Sequence, residues 1–266
     1  MSIRRGHLAA IDSSPEPACP FGRCDGSGWI LDENEQAHSC ECRERRVRRA
    51  RTAGVATAIP KRFRGVSFDR PPISDMERDP ARRVVVGAVR EYVETIDERL
   101  DEGRGLWLTG SVGTGKTSLA MLVAKSALAA GRTVAIYSVP QLLARIRRTY
   151  DGDPGEQSYL EFFNRLTTVD LLHLDDLGSE RRTDWVLEQL YAIVNRRYEE
   201  QLPILVTMND DEVIASARAV NPEAPEDWLA ALSAQIGART VSRLVEICGD
   251  PLPVYGSDMR FRVSGP

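Results

Sequence analysis

Lysine is nearly absent from this chain: of 35 basic residues only Lys61, Lys116 and Lys125 are lysine. Arginine presents a planar fork and lysine a compact, strongly hydrated ammonium, so a lysine kept against this bias marks a need for a point charge. Lys116 is the position to follow. Long apolar runs are missing too, since no stretch approaches the roughly 18 apolar residues of a membrane span. The opening MSIRRGHLAAIDSSPEP has an arginine pair but no signal-peptide apolar run behind it. These absences argue against membrane insertion and export and lead to the expectation of a cytoplasmic protein. Internal repeats and low-complexity tracts are also lacking. What remains is a chain of 266 residues, 42 % hydrophobic and 28 % charged, with enough length for one main domain and an appendage.

Four of the five cysteines fall in CPFGRCDGSGWILDENEQAHSCEC, residues 19–42. In a reducing compartment such a cluster holds metal before it forms disulfides. Tetrahedral zinc needs four soft ligands at about 2.3 Å, which Cys19, Cys24, Cys40 and Cys42 can supply, with His38 as an alternative for one of them. The spacing of four residues within the first pair and one within the second leaves free thiols as the other reading. Nothing in the stretch offers a catalytic base, so a closed structural zinc is expected. Cys248 stands alone on the apolar side of a helix and reads as core.

Behind the cysteines, residues 43–64 hold nine basic residues against one acid on a chain whose net charge is −4. That block fits a polyanion, an acidic partner or a solvated helix face. Aromatic platforms for stacking bases are not evident beside it; Phe63 and Phe68 read as anchors for the connector. The organisation expected is a flexible tail at 1–18, the cysteine module at 19–42, a basic connector at 43–79 and an α/β domain at 80–262. Within the last, a helix at 80–100 precedes strands at 106–109, 133–138, 170–175 and 204–209. Helices at 117–130, 140–150, 157–167 and 184–200 alternate with them. Such alternation predicts a mostly parallel sheet covered on both faces.

The first of these strands runs into GSVGTGKT, residues 110–117. Glycines at 110, 113 and 115 let the backbone of Ser111, Val112 and Thr114 turn its N–H groups toward phosphate oxygens, and the helix through Ser118 presents its positive end. Lys116 then reaches the β- and γ-phosphates of ATP while the Thr117 hydroxyl ligates Mg²⁺. LLHLDDLGSE places Asp175 and Asp176 at the carboxyl end of a strand: Asp175 as the Mg²⁺ partner, Asp176 as the base or orienter of water, with an acidic turn as the plainer reading. Asn209 ends the next strand and either senses the γ-phosphate or positions the water, with a helix cap as the plainer reading. In IGARTVSRLVEICG, Arg239, Arg243 and Glu246 share one helix face, available to a neighbouring molecule or to solvent.

GSVGTGKT, LLHLDDLG, VTMN and RTVSRL together resemble the AAA+ ATPases, in the branch of DnaC/DnaI-type helicase loaders and IstB-type transposition helpers. The front end is similar as well, with its CDGSGWI turn, the run into CRERR, and IPKRFRGVSFD. The resemblance covers residues 19 to 260. It implies a P-loop NTPase of AAA+ type, three layers around a parallel sheet, with a small zinc-ribbon or knuckle-like module in front. It implies an ATP-hydrolysing homo-oligomer acting on DNA, single-stranded in the loader case, with a replicative helicase or a transposase as partner. Arg243 matches the arginine-finger position, Arg239 less well. VYGSDMR resembles the closing strand and arginine, which brings Arg260 toward the nucleotide. A nucleotide-gated adaptor that hydrolyses poorly is the third reading, because Asp176 stands where glutamate is usual.

Overall fold

A computed structural model describes residues 19, 21–32, 35–43, 59–151, 158–220 and 227–261. The expected tail and most of the arginine run lie outside the described residues. Contacts divide the chain into two compact units, 1–47 and 48–266.

In the smaller unit, strands β1 (Trp29–Leu31) and β2 (Ala37–Ser39) form an antiparallel hairpin. Its core is little more than Cys19, Cys40 and Cys42 with Phe21, Cys24 and Ile30 packed on them. Apolar burial on that scale cannot hold a fold, so another tie is needed.

The larger unit is built on a parallel sheet of β3 (Leu106–Thr109), β4 (Val134–Ser138), β5 (Leu171–Leu177), β6 (Ile204–Met208) and β7 (Leu252–Pro253). Their order is β4-β5-β6-β3-β7, so the chain winds outward from β3 to β4 and returns to place β7 on the other side of β3. Helices α1 (Ile73–Arg78), α2 (Pro80–Glu94), α3 (Ile96–Asp101) and α4 (Lys116–Ala129) carry one apolar cluster. Helices α5 (Val139–Asp151), α6 (Tyr159–Leu166), α7 (Asp184–Glu199), α8 (Asp210–Val220), α9 (Trp228–Ile236) and α10 (Ala238–Cys248) carry the other. Side chains alternate across a strand. Leu106, Leu108, Val134, Ile136, Leu171 and Leu205 therefore meet α1–α4, while Trp107, Ala135, Tyr137, Leu172, Leu174 and Val206 meet the second group. Both faces being buried explains why the strands read as continuous apolar runs.

Three differences from the sequence reading have physical causes. The helix expected over 80–100 is two helices, interrupted at Thr95, whose hydroxyl donates to the Glu91 carbonyl at 2.9 Å in competition with the backbone ladder. The connector expected to run to residue 79 packs into the α/β unit before then: Ile73 and Met76 have no exposed surface. Pro72 stands at the N-cap of α1. Finally, the closing strand is Leu252–Pro253, and VYGSDMR lies beyond it as an irregular strap ending in a short 3₁₀ turn.

Arg197 is fully buried and closes the end of the sheet away from the phosphate loop, donating to the Leu166, Val169 and Pro203 carbonyls at 2.8, 3.1 and 2.7 Å. Burial lowers its pKa to about 9. Replacing it by alanine strands three buried acceptors. Arg197→Ala should cost about 3 kcal/mol, on the order of 10 °C in a calorimetric melt. A shift under about 2 °C would show that the three bonds contribute little.

Candidate functional site

The phosphate loop leaves β3 and enters α4 without a side-chain cap, so the first-turn N–H groups of that helix are open to an anion. Gly110, Gly113 and Gly115 take φ values of 139°, 75° and 107°. At Gly113 the constraint is also steric, since a Cβ there would lie 2.0 Å from the Asp258 carboxyl carbon. Thr114 is buried and its hydroxyl donates to the Ser111 carbonyl at 3.0 Å, locking the turn. Lys116 is 6 % exposed and its ammonium donates to the Gly110 and Ser111 carbonyls, both at 2.6 Å. Burial holds this ammonium below the ordinary lysine pKa, while Asp210, Asp176 and Asp175 pull it back up. Val112 and Ser118 complete the loop's side of the cleft.

The acidic strand end follows from strand parity plus one irregularity. Leu171, His173 and Asp175 point to the α4 side of β5, as Leu205 and Thr207 do on β6. Asp175 Oδ1 accepts from the Thr207 hydroxyl at 2.6 Å and the Thr117 hydroxyl at 3.1 Å, with His173 Nε2 at 3.5 Å. Burial pushes the Asp175 carboxyl up, but His173, Thr207 and Thr117 outweigh it and leave the group below its usual range. Strict alternation would send Asp176 to the far face. Instead β5 has one extra residue between Leu174 and Leu177 against β6, and Asp176 adopts φ 57°. This is a bulge, and it re-aims a side chain. Asp176 faces the cleft with its amide donating to Thr207 Oγ1 at 3.0 Å; burial and the Asp175 charge raise its pKa, against the pull of Lys116.

The cleft between these parts holds about 450 Å³, a volume in the range of small-molecule sites. Asn209 lies on its wall and also caps α8: its Oδ1 accepts from the Glu212 amide at 3.4 Å and its Nδ2 donates to Glu212 Oε2 at 3.2 Å. Arg260 lines the mouth, paired with Asp258 at 3.1 Å. Five wall residues were not singled out for the site: Arg62, Phe63, Pro72, Glu212 and Met259. Phe63 was read as an anchor, and it does pack on the core as well as lining the cleft. Lys125 on α4 ties that segment down by donating to the Arg64 and Val66 carbonyls at 3.2 and 2.9 Å.

Arg243 is not among the cleft residues. It lies over the Tyr198 ring at 4.0 Å and pairs with Glu246 at 2.9 Å. Arg239 is exposed on the same helix. In the small unit the four cysteine sulfurs lie within 4.8 Å of one another, with Cys19 and Cys40 at 3.7 Å and Cys24 and Cys42 at 3.4 Å. Four ligands at about 2.3 Å in a tetrahedron stand about 3.8 Å apart, so the cluster has the dimensions of a zinc site. Burial pushes the Cys19 thiol up, but the amides of Arg23, Cys24 and Phe21 bring it down to about 6. His38, the alternative ligand, is turned to Asp32 at 2.8 Å and is outside the cluster.

A phosphate loop beside an acidic strand end, on a parallel sheet between two helical layers, defines a P-loop NTPase fold of the AAA+ kind. Residues 86–212 match the family described as IstB-like ATP binding protein. Among curated relatives, the replicative helicase loader DnaI of Bacillus subtilis is 27 % identical over 54 % of this chain and 44 % of its own length. The replicative helicase loader DnaC of Escherichia coli is 28 % identical over 47 % and 49 %. The phage-like element PBSX protein XkdC of B. subtilis is 29 % identical over 77 % and 79 %. The chain thus spans less than half the length of the two loaders. The crystal structure of the DnaC helicase loader superposes with a TM-score of 0.56 at 24 % identity, over 74 % of this chain and all of that one, confirming the fold. Among the described residues no helix is long and apolar enough to cross a membrane.

Just past the acidic strand, Glu180 is 5 % exposed; its Oε2 accepts from the Gly178 amide at 3.0 Å and its Oε1 has no partner among the described residues. Burial raises this carboxyl from about 4.5 to about 7. The native state therefore holds a proton that the unfolded chain releases, and stability falls as pH rises through that window. Glu180→Gln imitates the protonated form. It should melt higher than wild type above pH 7 and lose that advantage near pH 4.5; parallel melting curves across the range would remove the assignment.

Proposed function

We propose that this protein is a nucleotide-switched ATPase of DNA replication that hydrolyses ATP and assists a ring helicase onto single-stranded DNA. The observation that carries the reading is Asp175 Oδ1 receiving both Thr117 and Thr207 beside the Lys116 ammonium, at the carboxyl ends of the strands. Likeness to the loaders DnaI and DnaC supports the choice of partner. Thr117 and Asp175 would hold Mg²⁺, which when bound offsets phosphate charge. The loop N–H groups from Gly110 to Ser118 cradle the phosphates, and Lys116 exchanges its two carbonyls for phosphate oxygens.

Asp176, raised toward its protonated form and facing the cleft, takes the proton of an attacking water. Asn209 orients that water, held by the bond that caps α8. Arg243, away from its own chain's cleft, serves that of a neighbouring copy once ATP drives assembly. Cys19, Cys24, Cys40 and Cys42 hold a structural zinc that lets the small unit fold and dock on the helicase. A second reading rests on the IstB-like match: a helper that binds DNA and passes it to a transposase.

Steady ATP turnover should fall at least a hundredfold in Lys116→Ala and Asp175→Asn. A wild type no faster than these variants leaves a binding adaptor and removes the enzyme. A chain with Cys40→Ser and Cys42→Ser should lose its single zinc, read by metal analysis, and should fail to retain the replicative helicase while still binding ATP. Retention of a transposase in place of the helicase would decide for the second reading.

A further inference from the structure

Arg82, on α2, is 1 % exposed and far in sequence from the phosphate loop. Its Nε donates to the Tyr255 carbonyl at 2.7 Å and its Nη2 to the Ser257 carbonyl at 2.8 Å, with Asp79 no closer than 3.6 Å. A buried guanidinium is costly unless its donors are matched. Here Nε and Nη2 are matched by two backbone carbonyls of the strap, while Nη1 has no partner among the described residues. Between Val254, which is fully buried, and Met259, the strap's residues 255 to 257 are exposed and offer no apolar anchor. Its far end reaches the phosphate loop: the Met259 amide donates to the Gly113 carbonyl at 3.0 Å, Asp258 packs against Gly113, and Met259 against Gly115. The strap thus hangs from Arg82 at one end and covers the loop at the other. Gly256 sits between the two bonded carbonyls with φ 114°, and a Cβ there would fall 2.0 Å from Arg82 Nη2. The strap therefore fits only with glycine at that point and the guanidinium in place.

We infer that Arg82 is a positioning residue for nucleotide: by fixing the 255–257 carbonyls it sets Asp258, Met259 and Arg260 over the phosphate loop and so governs how tightly nucleotide is held. This rests on the nucleotide reading of the cleft. Arg82 meets the two carbonyls with separate nitrogens, Nε and Nη2, whereas a lysine side chain at this position ends one atom short of Nη2 and presents a single nitrogen. Asp175 and Asp176 are held by Thr117 and Thr207 rather than by the strap, so the strap should affect affinity more than turnover at saturation.

The experiment compares full-length Arg82→Met, Arg82→Lys, Gly256→Ala and the Arg82→Met/Gly256→Ala pair, with Lys116→Ala as the control for nucleotide binding. Gly256→Ala displaces the strap from outside the core, so it stands even where Arg82→Met folds poorly. The readouts are the dissociation constant of a fluorescent ADP, kcat and KM for ATP, and release of residues 261–266 by trypsin. Arg82→Met and Gly256→Ala should each weaken ADP binding roughly tenfold and speed the trypsin cut, with kcat within about twofold of wild type. Arg82→Lys should fall between, and the pair should be no weaker than its worse member, because both changes undo one contact. Affinities unchanged in the singles, losses that multiply in the pair, or an unchanged trypsin cut would overturn the inference. If wild type binds ADP no better than Lys116→Ala, the nucleotide reading falls, and the trypsin rates alone then decide whether Arg82 holds the strap.

Discussion

One oxygen atom, Asp175 Oδ1, is where three parts of the fold meet. It takes a hydrogen bond from α4 through Thr117 and another from β6 through Thr207, above the buried ring of His173 on its own strand. At a partly buried strand end, a charged oxygen is tolerable only with its donors in place. That condition fixes the depth of α4 against the sheet, the register of β5 on β6, and the end of the alternating pattern. The bulge at Asp176 follows from it. Once Asp175 is pinned beneath α4, the next carboxylate reaches the cleft only if the backbone departs from the strand, which the left-handed turn at Asp176 accomplishes.

The scarcity of lysine finds a structural counterpart. Buried arginines act here mainly on backbone carbonyls, Arg197 joining three loop ends and Arg82 holding the strap. Arg132, also buried, bridges Asp97 and Asp101 and ties α3 to the start of β4. Each engages its partners through two or more nitrogens of one fork. Of the lysines, Lys116 and Lys125 both donate to two carbonyls from a single atom, one in the phosphate loop and one beneath the connector.

Much of this was legible in the sequence because it is local. GSVGTGKT carries its strand, loop and helix in consecutive residues, and the strands announce themselves as apolar runs because both sheet faces are covered. The cysteines at 19, 24, 40 and 42 converge as a short hairpin requires. Other features had no local signal. Arg62, Phe63 and Pro72 come to the cleft from the segment that precedes the domain, and Met259 from the strap after β7, joined only through the tertiary fold. The turn at Asp176 was invisible because aspartate gives no warning of φ 57°. The break at Thr95 needed the competing Glu91 bond, which a continuous hydrophobic pattern hides. Asn209 left two readings open, and its position accommodates both, at the helix cap and on the cleft wall.

The sheet also divides labour along its length. Leu106, Val134, Leu171 and Ile204 begin their strands in the two apolar clusters, whereas Asp175, Thr207 and Asn209 lie at the opposite ends. Mutational tolerance in this chain is therefore graded in space, and selection meets two separable targets on the same strand. Drift in the first half of a strand is filtered by whether the chain persists in the cell, and drift in the last two residues by what the chain does there. A lineage can thus retune the chemistry at the carboxyl edge while the amino-terminal half of the same sheet keeps the scaffold unchanged.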